Sequence, residues 1–394
     1  MSYSIIAIVI GLLALVEILV MSCYTNANVA VVLSRETPTY SQYLTKTRFK
    51  LFSIGSYAVM AGLVLFAGLR YNTGYDYFAY DNMFANSASN SWIELNVEPL
   101  YYLFNYFLNI LGFSFSGFLL TFALFSVWPK SRLFNNFSPY LFLSLYIFFT
   151  GSYIGFDFGV IRQGAAISIC LFAWEAANKN DLRKFTLFII LAMGFHQTAI
   201  IFFPYYFIRN FNLKYITVFY SVSGSLFGAW ILTKISIVQS LALIAPGNPA
   251  SERIAAYTDS STALSTFNLT PGAILKIIFI LFFIYCSRKK EESNLYSAKT
   301  ACNAYFISVI GFLLLNQFAL IASRLFSYFK FFEVIFLPEL VRIQETKTRK
   351  LMVGLLIIFA FYYQMERDLG MDYSFVLHPY QVVPAFREFL RSIF

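Results

Sequence analysis

Charge is scarce in this chain. Of its 394 residues only 12% are Asp, Glu, Lys or Arg, against roughly 25% in soluble domains, too few to solvate the surface of a soluble globule of this size. Only two histidines occur, His196 and His378, and there is no HExxH. The four cysteines, Cys23, Cys170, Cys286 and Cys302, have neither CxxC nor Cys/His metal spacing. They read as small buried hydrophobes, so neither a disulfide nor a metal is expected. Walker A, GxGxxG and GxSxG patterns are also missing, which leaves no basis for a P-loop, a dinucleotide fold or a nucleophile elbow. An acidic pair, Glu366 and Asp368 in "ERD", is too isolated to make the carboxylate site of a metal-dependent nucleotide-sugar transferase.

What fills the chain is apolar: 59% hydrophobic residues, with 47 Phe and 28 Tyr. The reading is an all-α polytopic integral membrane protein. Interfacial belts need fewer aromatics than this, so many must lie inside the helix bundle or line a cavity. The net charge of +9 follows from basic cytoplasmic loops and needs no nucleic-acid partner. Residues 2–22 lack a basic leading segment and an A-x-A exit, so they read as a retained helix.

A bilayer core of about 30 Å takes about 20 apolar residues per helix. Spans are marked at 3–23, 51–69, 114–128, 138–154, 161–177, 185–208, 215–233, 271–286, 299–322, 325–340 and 351–364. With re-entrant pieces counted, the expectation is about 11–13 transmembrane or re-entrant helices in a single domain covering 1–394. Basic connecting segments, including Lys130 and Arg132, Arg209 and Lys214, and Arg288 to Lys299, are assigned to the cytoplasm by the positive-inside rule. Mixed segments, including 70–98, 155–162 and 234–270, are assigned to the opposite side. Each crossing must swap sides, and two places resist. "EPLYYLFNYFLNI" within 98–128 is read as an amphipathic interfacial helix, making 70–113 a loop plus interfacial helix. The run 185–208, broken at "GFHQT" and at Pro204, is read as two short helices or a re-entrant hairpin with His196 near its apex.

The outer side collects the notable polar groups: Arg70, Asp76, Asp81, Glu98, Asp157, Arg162, Arg253, Arg324 and His378. Arg162 starts a helix, where the macrodipole disfavours a cation. Its alternatives are a salt bridge to Asp157, snorkelling, or a grip on phosphate shared with the helix amides. Asp76 after Gly74 either caps a turn or serves as a general base, and Glu98 before Pro99 is either a charge placed by helix-end electrostatics or a general base. Arg324 with Tyr328 is either an interfacial pair or a substrate contact. Arg253 is a solvated loop charge or part of a lid, and His378 is loop structure or a substrate contact. Lys330 and Glu333 read as a structural pair.

Taken together, "GLRYNTGYDYFAYDNMF", "EPLYYLFNYFLNILGFSF", "IRQGAAISICLFAW", "LAMGFHQTAIIFFPYYF" and "SRLFSYFKFFEVIFLPEL" resemble successive blocks of the EpsG and Wzy group of bacterial polysaccharide polymerases, from about Gly68 to Leu340. The resemblance implies an O-antigen polymerase with a GT-C-like bundle in the bacterial inner membrane. Such an enzyme joins undecaprenyl-pyrophosphate-linked repeat units at the periplasmic face, without cofactor, nucleotide sugar or metal. Donor and acceptor are both lipid-linked glycans, and a chain-length regulator and a flippase of the same pathway are the expected protein partners. The motif arginines fall on Arg70, Arg162 and Arg324, with Arg253 added from the large loop, as pyrophosphate contacts. Asp76, Glu98 and His196 are the candidate acid/base groups, and Tyr77, Tyr80, Tyr101, Tyr328 and His378 the glycan contacts. An O-antigen ligase and a flippase or transporter of lipid-linked oligosaccharide are the alternatives.

Overall fold

The computed structural model describes residues 2–22, 40–234, 270–288, 295–370, 377 and 380–384. The large loop expected at 234–270 falls almost entirely outside them, as do Arg253, His378 and Cys23. The described chain is helical with no named strand. Five helices are long and apolar enough to cross a membrane: Tyr3–Ser22, Lys50–Gly68, Leu141–Gly159, Tyr215–Thr233 and Tyr296–Leu314. Gln197–Ile208 and Pro271–Ser287 are shorter apolar helical segments. The molecule is thus an all-helical polytopic membrane protein.

The chain divides into two compact units, Met1–Gln197 with Leu337–Phe394, and Thr198–Phe336. In the first, α1 (Ser2–Ser22) packs on α6 (Leu141–Phe148) and on α15 (Lys347–Leu369), while α2 (Tyr40–Gly68) lies along α5 (Phe115–Phe137). α5 also packs on α7 (Ile161–Asn178), which pairs with α8 (Leu182–Met193). Two short helices, α3 (Tyr77–Asn86) and α4 (Pro99–Ile110), pack together between α2 and α5 in sequence. As expected of an amphipathic helix, α4 buries Tyr101 and Asn105 and exposes Leu103, Phe107 and Ile110.

In the second unit, α10 (Tyr215–Lys234) and α11 (Pro271–Ser287) both pack on α12 (Tyr296–Leu314), which turns back on α13 (Ala319–Lys330). The span expected at 299–322 therefore ends at Leu314. Close packing of the reversal is visible at Gly311, where any Cβ would enter the Phe326 ring. The span expected at 325–340 is interrupted at Phe331 and Phe332, with α14 (Glu333–Arg342) following. Lys330 and the fully buried Glu333 form the anticipated pair, 3.7 Å apart. The break expected at "GFHQT" and Pro204 is present: α8 ends at Met193, a 3₁₀ segment runs Gln197–Phe202, and α9 covers Tyr205–Ile208.

Two topological assignments need correction. Lys130 does not lie in a loop. α5 runs through Pro129 to Phe137, and Lys130 sits inside it with 0% exposure. Likewise 155–162 is not a loop, because α6 continues as a π-helical segment, Phe149–Gly159, marked by a bond from the Val160 N–H to the Gly155 carbonyl at 2.9 Å. The two meet: Lys130 Nζ is 2.6 Å from Asp157 Oδ1. Lys130 also donates to Ser168 Oγ at 2.6 Å and to the carbonyls of Ser126 and Gly164, at 3.0 and 3.2 Å. Ser126 Oγ donates to the same Asp157 oxygen at 2.5 Å. A charge buried this deeply is tolerable only with such a set of partners. Gly164 makes the approach possible, since a Cβ there would sit 2.9 Å from the Phe156 carbonyl oxygen and 3.1 Å from Asp157 Oδ1.

Glu17 resolves in the same way. Its carboxylate oxygens each accept an N–H at 2.8 Å, from Leu141 and Phe142, in the first turn of α6. Two orphan donors of a buried helix start are thereby satisfied from a neighbouring helix.

Candidate active site

The stretch "RYNTGYDYF" leaves the end of α2 and must reverse at once into α3. Asn72 and Gly74 provide the reversal with positive φ values of 48° and 119°, a conformation that Asn and Gly adopt at least cost. A Cβ on Gly74 would also stand 3.3 Å from the Phe158 carbonyl oxygen and 3.5 Å from Arg70 Nε. The turn thus packs its own backbone over the Arg70 side chain and delivers Asp76 to the N-cap of α3.

Asp76 occupies that N-cap without capping: its side chain makes no cap hydrogen bond. Its Oδ2 instead accepts from the Tyr80 hydroxyl at 3.4 Å, one turn along, and the residue stays half-buried. Tyr80 is 1% exposed. Burial pushes its phenol up to about 12, with Arg162 and Arg70 acting in the opposite direction and Asp76 adding to the rise. Tyr80 therefore feels both guanidiniums and the carboxylate, and as a neutral phenol it is a donor. Its ring stands 6.1 Å from that of Tyr101, edge to face.

Arg162 is not paired with Asp157. Its Nη1 lies 2.6 Å from Glu98 Oε2, and its guanidinium sits 5.5 Å from the centre of the Tyr101 ring. Asp157 is taken by Lys130, so the alternative partner is Glu98, carried in by α4. Glu98 has no capping bond on its own helix. Its other oxygen accepts the Gln197 N–H at 3.4 Å. The Leu100 and Tyr101 N–H groups of the same helix start donate to the Gly194 carbonyl, at 2.9 and 3.1 Å. α4 is thereby docked on the end of α8, beside the buried His196, 7% exposed. The break in "GFHQT" that set His196 apart thus holds the start of α4.

Arg70 lies on the other side of Tyr80. It is 1% exposed, and its Nε and Nη2 have no hydrogen-bond partner among the described residues. Its surroundings are aromatic: the guanidinium stands 4.7 Å from the Phe158 ring centre, and Tyr153, Tyr80, Tyr77 and Tyr380 contribute its electrostatic environment. Burial works against its charge. Tyr77 packs edge to face on Phe115, 5.2 Å between ring centres, and so serves as a wall of this region.

One wall was not anticipated. The tail returns to the end of α2, where the Tyr71 N–H donates to Gln381 O at 2.8 Å and the Val383 N–H to Leu69 O at 3.0 Å, giving an antiparallel bridge between Arg70 and Val382. Tyr380 stacks on Phe66 at 4.3 Å and donates to its carbonyl at 2.8 Å. No local signal in the sequence marks this pairing, which joins segments more than 300 residues apart.

Asp76, Tyr80, Tyr101, Glu98 and Arg162 are consequently linked side by side, with His196 adjoining through Gln197 and Arg70 through Tyr80. Arg324 and Tyr328 belong to the second unit, where the Tyr328 hydroxyl lies 3.0 Å from Thr198 Oγ1. Among the described residues, no three His, Cys, Asp or Glu side chains converge as a metal site would need. A model of the EpsG family matches residues 55–382. The chain belongs to the EpsG family. This is a family of Wzy-like polymerases, and the matched region runs from within α2, through Arg70, Asp76, Glu98, Arg162 and His196, to the bridging tail. No curated protein and no solved structure matches the chain.

Proposed function

We propose that this EpsG-family protein is an O-antigen polymerase of the bacterial inner membrane, a GT-C-like glycosyltransferase whose active face is periplasmic. Its donor and acceptor are both glycan repeat units on undecaprenyl pyrophosphate. The observation that carries the reading is Arg70: a buried guanidinium without a carboxylate partner among the described residues, next to the Arg162 and Asp76 cluster. It fits a site that receives an anion from outside the protein.

The chemistry is a single displacement in its simplest form. A hydroxyl of the acceptor sugar attacks the anomeric carbon of the donor glycan, a C–O bond forms, and the C–O bond to the pyrophosphate breaks. The hydroxyl proton passes to a base, and undecaprenyl pyrophosphate leaves with the bonding electron pair. Asp76 is the best-placed base, because it is half-exposed and holds only the weak bond from Tyr80. Glu98 is less available, being held by Arg162 and the Gln197 N–H. Arg70 and Arg162 would offset the charge growing on the leaving pyrophosphate, an effect worth roughly 3–4 kcal/mol per well-placed donor. Tyr77, Tyr80 and Tyr101 are 4%, 1% and 0% exposed, so they form the aromatic wall behind these groups and hold them in place rather than stacking directly on a sugar ring. Roles for Arg324, Tyr328, Arg253 and His378 stay within this proposal as further contacts to pyrophosphate or glycan. The chain-length regulator and flippase of the pathway are the proposed protein partners.

The test is complementation of a strain lacking the protein, read on gels of surface glycan. With Asp76→Asn, lipopolysaccharide capped by a single repeat unit is expected, since polymerisation fails while ligation proceeds. Complete absence of attached repeats would instead assign the protein as a ligase or flippase. For Arg162, alanine alone strands the buried Glu98, so the Arg162→Gln/Glu98→Gln pair is also compared. A full ladder from both Asp76→Asn and the double variant overturns the site.

A further inference from the structure

The second unit contains a cavity of about 680 Å³ well away from its Arg324 and Tyr328, a volume typical of small-molecule sites. It lies between the connection from α9 to α10, the end of α11 and the start of α12. Within this unit it is at the opposite end of α12 from Gly311, where α13 packs. Lys299 and Gly311 are twelve residues apart, about 18 Å of helix.

Among the described residues four cations line the cavity, Arg209, Lys214, Arg288 and Lys299, and none of the lining residues is acidic. The wall is built rather than loose. Asn303 donates to the carbonyls of Arg209 and Phe211, both at 2.7 Å, and Tyr296 donates to Asn210 at 3.0 Å, pinning the 209–211 connection to α12. Arg209 is 6% exposed and lies 4.1 Å over the Tyr206 ring; Arg288 lies 4.5 Å over Tyr215. The first turn of α12 contributes to the lining, and its N-cap, Leu295, makes no side-chain capping bond. Its N-terminal amides therefore add to the positive field. The end of α11 acts the other way, and Arg288 at that position offsets it. Phe283 and Ile284 supply an apolar wall from the same helix.

Cations on one side and a membrane-helix apolar face on the other suit an amphiphile with an anionic head. We infer that this cavity binds a phosphate ester of net negative charge, the headgroup of an anionic phospholipid. Basic pockets between transmembrane helices at the positively charged side of a protein take such headgroups. The site is separate from the polymerase chemistry proposed above and does not depend on it.

The test uses the full chain purified in detergent and titrated with phosphatidylglycerol or phosphatidylcholine, with bound lipid read by native mass spectrometry. Lys214 and Arg288 are exposed, so Lys214→Gln/Arg288→Gln removes two charges without opening the core. Arg183→Gln/Arg349→Gln, at exposed positions of the first unit, is the charge-matched control. Phosphatidylglycerol is expected to bind the pocket variant about tenfold more weakly than the wild type, with the control unchanged and phosphatidylcholine indifferent to both. Thermal unfolding of all three proteins checks folding; the single change Lys214→Glu replaces the pair if it folds poorly, with loss in the same direction. Sodium phosphate is titrated in parallel. Competition with phosphatidylglycerol identifies the phosphate group as the recognised element, while phosphate binding that the lipid does not match assigns the site to a water-soluble phosphate ester. Equal binding of both probes by wild type and pocket variant overturns the proposal.

Discussion

Lys130 and Arg70 are both cations buried in the first unit, at 0% and 1% exposure, and they are solved in opposite ways. Lys130 has a carboxylate at 2.6 Å and a serine hydroxyl at the same distance, so its charge is answered within the protein. Arg70 has aromatic rings and, among the described residues, no acceptor for two of its nitrogens. A buried charge that the fold has paired is part of the fold. One that the fold leaves open is a standing cost, and an incoming anion that removes the cost binds more tightly for it.

Three substitutions sharpen or break that contrast. The largest effect is expected from Lys130→Met. It leaves Asp157 buried without its cation, held by the Ser126 hydroxyl alone, which costs ~3–5 kcal/mol, and the protein should lose most of its folded yield and thermal stability in detergent. Lys130→Met/Asp157→Leu should recover much of that loss. If Lys130→Met is as stable as the wild type, the pair is not structural.

Next is Arg70→Met. Removing a charge that the protein does not pair should leave the unfolding temperature within a few degrees of wild type or raise it, while glycan polymerisation falls by about 100-fold or more. A drop in stability like that of Lys130→Met would show that Arg70 has an internal partner, and the two cations would then be alike. The smallest effect is expected from Tyr80→Phe, which removes the long hydrogen bond to Asp76 and the hydroxyl's contact with Arg162. About 0.5–1.5 kcal/mol of stability is at stake, and polymerisation should slow by no more than about tenfold, since Asp76 keeps its position at the start of α3. Complete loss of polymer would give Tyr80 a chemical role rather than a positioning one.

Much of the fold was readable because long apolar runs separated by polar segments are a strong pattern. The amphipathic helix at Pro99 and the break at "GFHQT" were readable for the same reason. Charge alone marks the ends of spans poorly. "FTGSYIGFDFG" has three glycines and an aspartate and looks like a loop, yet it continues α6 as a wider helix, and its aspartate turns inward. Lys130 looked like a cytoplasmic flank because it follows Pro129. The sign that it does not is the spacing: Ser126 and Lys130 lie four apart on α5, Gly164 and Ser168 four apart on α7, and the two small-and-polar faces fit each other. The partner of Arg162 was missed because Asp157 was nearer in sequence than Glu98. That choice depends on three-dimensional docking of α4, which no local pattern encodes.

The bridge between Arg70 and Val382 bears on when the protein becomes complete as well as on its shape. Residues 69–71 are synthesised more than 300 residues before their backbone partners at 381–383. A contact of such long sequence separation forms late. Until those partners are made, the α2 end carrying Arg70 lacks its final wall, and this part of the candidate site closes only after the chain has been translated past Val383.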